Sequence, residues 1–179
     1  MKQDIITILK QEEFALKKFV LMYDVYVDTS ALLGGVEMEM FFKRIVPFLK
    51  VSNRQIFIPK SVVFELERLE NYGYKKAVAA KKARNLLADL LKEGVVAFVS
   101  IEGRNYKVQT ADEELLGLFW LNRSRKSLLL ITSDKTLAKE VLLLNFSRAV
   151  KSKNKIKVKR INSAGYLSNI FKKVSDKMA

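Results

Sequence analysis

Five short segments rich in Val, Ile, Leu, Tyr and Phe recur along this chain, each followed by a longer stretch of helical periodicity. Tyr23–Asp28 (YDVYVD), Gln55–Ile58, Val95–Ile101, Ser127–Thr132 (SLLLIT) and Ile156–Ile161 read as strands. SLLLIT has no polar face, as expected of a strand buried on both sides. The stretches around them read as helices. The first covers residues 1–20, with Ile5, Ile8, Leu9, Leu16, Phe19 and Val20 on one stripe. After Gly34-Gly35 a second runs to about Lys50, with Pro47 near its end. A third begins at Pro59, a residue suited to the first helical position, and runs to about Glu70. Further helices are expected over Tyr74–Lys92 (closed by Gly94), Thr110–Asn122, Asp134–Leu144 and Ser163–Val174. Such alternation predicts an α/β fold: a three-layer α/β/α sandwich with a mostly parallel central sheet, plus an N-terminal helix. The expected division is an N-terminal helical extension (1–22), one domain (23–174) and a C-terminal tail (175–179), without linker or repeat.

The chain contains neither Cys nor His. Disulfides, thiolate nucleophiles, Cys/His zinc sites and the Ser–His–Asp triad are excluded. Chemistry must run through carboxylates, Lys, Tyr, Ser or Thr, or a metal held by oxygen. P-loop, dinucleotide and esterase readings also lack their motifs. No apolar run approaches the ~20 residues of a membrane span. Asp4, Glu12 and Glu13 interrupt the N-terminal apolar pattern and argue against a signal peptide. A cytoplasmic protein with no membrane partner is expected.

The formal charge is +14. From Arg148 onward there are ten basic residues against one acid, Asp176. Such a surface favours a polyanion, with RNA or DNA the usual one, and solubility alone is the bland explanation. Lys151, Lys153, Lys155, Lys157 and Lys159 recur at every second position, with Arg160 beside the last. In a strand they share one face. They suit contact with nucleic-acid phosphates, or protection of an exposed sheet edge, about equally.

In open α/β sheets, sites lie beyond the C-terminal ends of the strands. Asp28 ends the first strand, and Asp134 follows the buried strand, where it could simply cap the next helix. Glu65 lies on the apolar stripe of its helix, with Val62 at i−3 and Leu69 at i+4, so it needs a partner: a metal, or Arg68 at i+3. Asp112 has Leu115 and Leu116 on its side of the helix. Glu113 fits a capping box with Thr110, and Glu114 has no evident role. Four carboxylates facing one pocket would repel, and Mg²⁺ or Mn²⁺, which take oxygen ligands, would relieve that repulsion. A metal-loaded acidic pocket ringed by basic surface suits phosphodiester cleavage.

VDTSALL, IPKSVVFELERL, TADEELL and LLITSDKTLAKE, in that order, resemble the PIN-domain family, with intervals of 37, 47 and 22 residues between the acids. The final IKVKRINSAGYLSNI is similar to the family's C-terminal pair, so the resemblance covers about residues 23–171. It implies a metal-dependent endoribonuclease acting on single-stranded or structured RNA. Asp28, Glu65, Asp112 and Asp134 would be the catalytic, metal-binding acids. Thr132 would stand beside the last of them, and Thr29 or Ser30 would support Asp28. Two other readings are a PIN-like RNA-binding module that does not cut, and a ribonuclease toxin of a toxin–antitoxin pair. The N-terminal helix departs from compact toxins. Homo-oligomerisation, and a protein partner for that helix, stay open. Tyr72 and Tyr74, just before Lys75-Lys76, could stack an unpaired base, although helix–loop packing is the commoner role for such residues.

Overall fold

The structure, a computed structural model, describes residues 5–72, 75–101, 110–147 and 154–171. The order is α1 (Ile5–Met22), β1 (Asp24–Val27), α2 (Thr29–Leu32), α3 (Val36–Ser52), β2 (Ile56–Pro59), α4 (Lys60–Asn71) and α5 (Ala77–Lys92). Then come β3 (Val96–Val99), α6 (Ala111–Asn122), β4 (Leu128–Ile131), α7 (Lys135–Leu143), a 3₁₀ turn (Leu144–Phe146), β5 (Ile156–Ile161) and β6 (Leu167–Asn169). The six strands form one sheet in the order β3-β2-β1-β4-β5-β6. All neighbours are parallel except β5 and β6.

Strand alternation divides the interior into two cores. Val25, Val27, Ile56, Ile58, Val96, Leu129 and Ile131 face one side and pack with residues of α1 to α5. Tyr26, Leu128, Leu130, Ile156 and Val158 face the other side, with α6 and α7. Helices therefore cover both faces of the sheet. All of β4 is buried, which is why its sequence shows no polar alternation. The N-terminal helix is not a separate body: its Leu16 and Val20 belong to the first core beside Phe41, Phe42 and Ile45 of α3. Among the described residues, no helix is long and apolar enough to cross a membrane.

Several expectations need correction. Pro47 lies inside α3, which continues to Ser52, and Pro59 closes β2 as the N-cap of α4. The helix expected from Ser163 is absent over the described residues; the chain turns back and forms β6, antiparallel to β5. Asn162 makes this turn. Its backbone N–H donates to the Tyr166 carbonyl (2.8 Å) and its side chain accepts from the N–H groups of Ala164 and Tyr166. Gly165 takes a left-handed φ of 76°, and a Cβ there would come within 2.7 Å of Met40 Cβ on α3. Glycine thus permits both the turn and the close approach. Tyr166 and Ile170 sit four apart, as on a helix face, but they enter opposite cores.

The edge-protection reading of the lysine row also fails over the described residues. β5 lies between β4 and β6, not at an edge. Lys157 and Lys159 are half-buried, with their ammonium groups 5.0 and 5.2 Å from the Phe19 ring centre on α1. Burial, and then the neighbouring Lys157, lower the Lys159 pKa. Lys155 and Arg160 are exposed, while Lys151 and Lys153 lie outside the described residues.

Candidate functional site

β1 has β2 on one side and β4 on the other, so the strand order reverses there and a crevice opens at the C-terminal ends of β1 and β4. Asp28 follows β1 directly, and its N–H donates to the Ile131 carbonyl at 3.0 Å. Thr132 follows β4, and Asp134 caps α7. The parallel register thus brings together residues 104 apart in sequence: the Thr132 hydroxyl donates to Asp28 Oδ2 at 2.8 Å.

Asp28 is only 4% exposed. Its Oδ2 also accepts from the Ser30 hydroxyl (2.6 Å) and the Ser30 N–H (3.2 Å). Ser30 Oγ in turn accepts from the Ser133 N–H (2.9 Å) and lies 3.0 Å from Thr132 Oγ1. Thr132 Oγ1 accepts from the Asp134 N–H at 2.9 Å. Asp134 Oδ1 accepts from the N–H groups of Thr136 (2.6 Å) and Leu137 (3.1 Å), the N-capping role open to it in sequence. Glu65 does not pair with Arg68. Its Oε2 accepts from the hydroxyl of buried Thr29 at 2.7 Å. A chain of hydroxyls therefore links the acids, with Thr29 holding Glu65, Ser30 and Thr132 holding Asp28, and Thr132 holding the Asp134 backbone.

Asp28, Glu65 and Asp134 share one pattern. One carboxylate oxygen of each is fixed by protein donors, and the other accepts no hydrogen bond among the described residues. Asp112, in the first turn of α6, makes no hydrogen bond there either. Its carboxyl is pushed up to about 6, by partial burial first and then by the negative charges of Asp28, Asp134, Glu65 and Glu140. Asp112 is nevertheless exposed as a residue, so water reaches it. All four acids expected from the sequence thus lie within one electrostatic field, joined by Glu140, which no sequence signal marked.

The three consecutive acids separate cleanly. Glu113 closes the capping box with Thr110. Glu114 is 3% exposed, and its Oε2 accepts from the Ser61 N–H (2.9 Å) and hydroxyl (2.5 Å) at the start of α4. Asp112 is the acid left facing the others. Glu114 has Ala111 at i−3 and Leu118 at i+4, both buried, so the stripe argument that singled out Glu65 applied to it as well. A cavity of about 440 Å³ opens beside Glu65 and Asp112, with Phe64 and Arg68 on its wall.

A hard cation suits this donor set, which is all oxygen and mutually repulsive. Among the described residues, no three acidic side chains stand close enough to form a ready-made metal cage. Mg²⁺ uses one or two carboxylates directly and keeps several waters, so it does not require such a cage. No protein-family model matches the chain, and no curated protein matches it.

Proposed function

We propose that this chain is a PIN-like, metal-dependent endoribonuclease cutting single-stranded or structured RNA. The observation that carries the reading is the half-open state of the carboxylates: Asp28, Glu65 and Asp134 are each immobilised through one oxygen while the other is left to an incoming ligand. Hydroxyls and amides orient these three acids without setting a cation against them, and, unlike the similarly held Glu114, all three act on the charge of Asp112.

Asp28, Glu65, Asp112 and Asp134 would hold Mg²⁺ or Mn²⁺. When bound, the ion neutralises charge at the scissile phosphate and acidifies water. The protein's own part is positional. Thr132 and Ser30 orient the buried Asp28 carboxylate, Thr29 holds Glu65, and the α7 N-terminus holds Asp134. Glu114 clasps α6 to α4 and so sets Asp112 against Glu65. Lys159 lies beside the site, since its carbonyl accepts from the Thr132 N–H. With Lys155, Lys157 and Arg160, and with Lys151 and Lys153 in the same row, it would meet RNA phosphates.

The exposed cations Lys155 and Arg160 serve a second reading equally well, an RNA-binding module that does not cut. Cleavage of a labelled single-stranded RNA across a Mg²⁺ and Mn²⁺ titration decides between them. Metal-dependent cutting that Glu65→Gln removes without loss of stability supports the enzyme. Metal-independent RNA binding with no cutting supports the module.

A further inference from the structure

Phe64, Arg68 and Tyr72 are spaced four residues apart along α4 and its C-cap, so they share one face of the helix. Both rings are largely in water, Phe64 at 65% and Tyr72 at 68% exposure. Arg68 between them lines two cavities. One is the acid-walled cavity beside Glu65 and Asp112. The other, about 870 Å³, follows the end of α4 and is lined by Arg68, Leu69, Tyr72, Lys75 and Lys76, with no acid among the described residues of its wall. Among the described residues, Arg68, Lys75 and Lys76 form no ion pair, whereas nearby Arg84 is taken up by Glu67 and Glu70. An aromatic–cation–aromatic row thus leads from a basic groove to an acidic crevice.

We propose that this face of α4 is a docking track for single-stranded RNA, in which bases stack on Phe64 and Tyr72 and phosphates lie on Arg68, Lys75 and Lys76. Exposed rings interleaved with cations are what unpaired bases on a charged backbone require. A duplex hides its base faces and could use only the cations. An acidic peptide could satisfy the cations and would leave both rings in water. The proposal rests on the nuclease reading for where the strand leads, not for whether it binds. It is distinct from the lysine row on β5, which lies on the other side of β1 and β4.

The test is fluorescence anisotropy of a labelled oligo-U 12-mer in EDTA, at several salt concentrations, with the full chain. Tyr72→Ala should weaken binding by about tenfold, and Phe64→Ala by a similar factor. Tyr72→Phe, which keeps the stacking face, should stay within about twofold of the parent. The triple change R68Q/K75Q/K76Q should flatten the log–log salt dependence by about 2, at roughly 0.7 per lost phosphate contact. Unchanged affinity and slope in variants with parental melting curves would overturn the track. So would a parent protein that fails to bind oligo-U, or that binds a blunt RNA duplex or a poly-Glu peptide as tightly. Stacking-dependent binding without cutting in Mg²⁺ or Mn²⁺ keeps the track and removes the nuclease reading. Cutting with binding indifferent to these variants does the reverse.

Discussion

Strand β1 begins with one aspartate and is followed directly by another, and the two are treated in opposite ways. Asp24 is met by Lys126 at 2.7 Å and Arg54 at 3.3 Å, and Arg54 also donates to the Tyr23 carbonyl. Asp28, one strand length away, has only hydroxyl and amide partners among the described residues and acts on the charge of Asp112. The first arrangement cancels a charge. The second orients a carboxylate without setting a cation against it. The chain thus sets cations against the acid at one end of the strand and only neutral donors against the acid at the other, and this contrast is what the proposed function rests on.

The contrast is most easily broken by exchanging each aspartate for its amide. Asp28→Asn and Asp134→Asn should each cut cleavage at least about hundredfold in gel assays with Mg²⁺ while leaving the fold intact, since even residues supporting a metal site cost 10- to 100-fold. Asp24→Asn should leave cleavage unchanged and cost about 1–2 kcal/mol in urea unfolding. The reverse pattern would remove the functional reading of the crevice.

Glu114 is an acid of the structural kind inside the working region. Glu114→Ala would leave the Ser61 N–H and hydroxyl without their acceptor in a buried place, and should cost about 2–3 kcal/mol. Glu114→Gln keeps an acceptor and should lose less. Parallel melts of the two variants measure this.

Asp112 should behave in the opposite sense. Its folded pKa of about 6 exceeds the ordinary 3.8, so the folded state binds a proton that the unfolded state has released. Stability is therefore lost as pH rises from about 4 through 6. Asp112→Asn should raise stability at pH 7 by on the order of 1 kcal/mol, a value discounted because solvent screens an exposed carboxylate. The gain should vanish near pH 4. Urea titrations of both proteins across that range would show it, and a gain that persists at pH 4 would contradict it.

The smallest effect concerns the cations beyond the crevice. Lys155→Gln with Arg160→Gln removes two exposed charges, one before the start of β5 and one near its end, and should flatten the salt dependence of RNA binding by about 1.4. Lys157 and Lys159, half-covered by Phe19, should contribute less per charge. Equal slopes for both pairs would show that burial beside the ring does not matter.

The sheet was legible because each parallel strand is a short apolar run ending where a polar helix start begins, as in YVDTS and LLITSD. The final segment was not. Tyr166 and Ile170 satisfy a helical spacing, and the hairpin is selected by the Asn162 hydrogen bonds and by the fit of Gly165 against Met40. For Glu65, burial on an apolar stripe correctly demanded a partner, but the partner comes from Thr29, 36 residues away, and no local pattern can announce that. Glu114 carries the same stripe signal, and its partner Ser61, 53 residues away, is equally invisible to local pattern. The lysine alternation identified a strand but could not reveal which strands would flank it.

The crevice depends on one long-range pairing, the register that sets Val27 beside Ile131 and lets Thr132 reach Asp28. Joining segments so far apart is slow compared with local helix formation, because loop closure precedes any reward from contact. During vectorial synthesis, β1, β2 and β3 can associate early, but the first acid has only the local Ser30 donors until β4 has emerged and inserted beside β1. The acids therefore become an organised pocket only after most of the domain has been made, and a chain stalled before β4 carries Asp28 without the Thr132 hydroxyl and without Asp134.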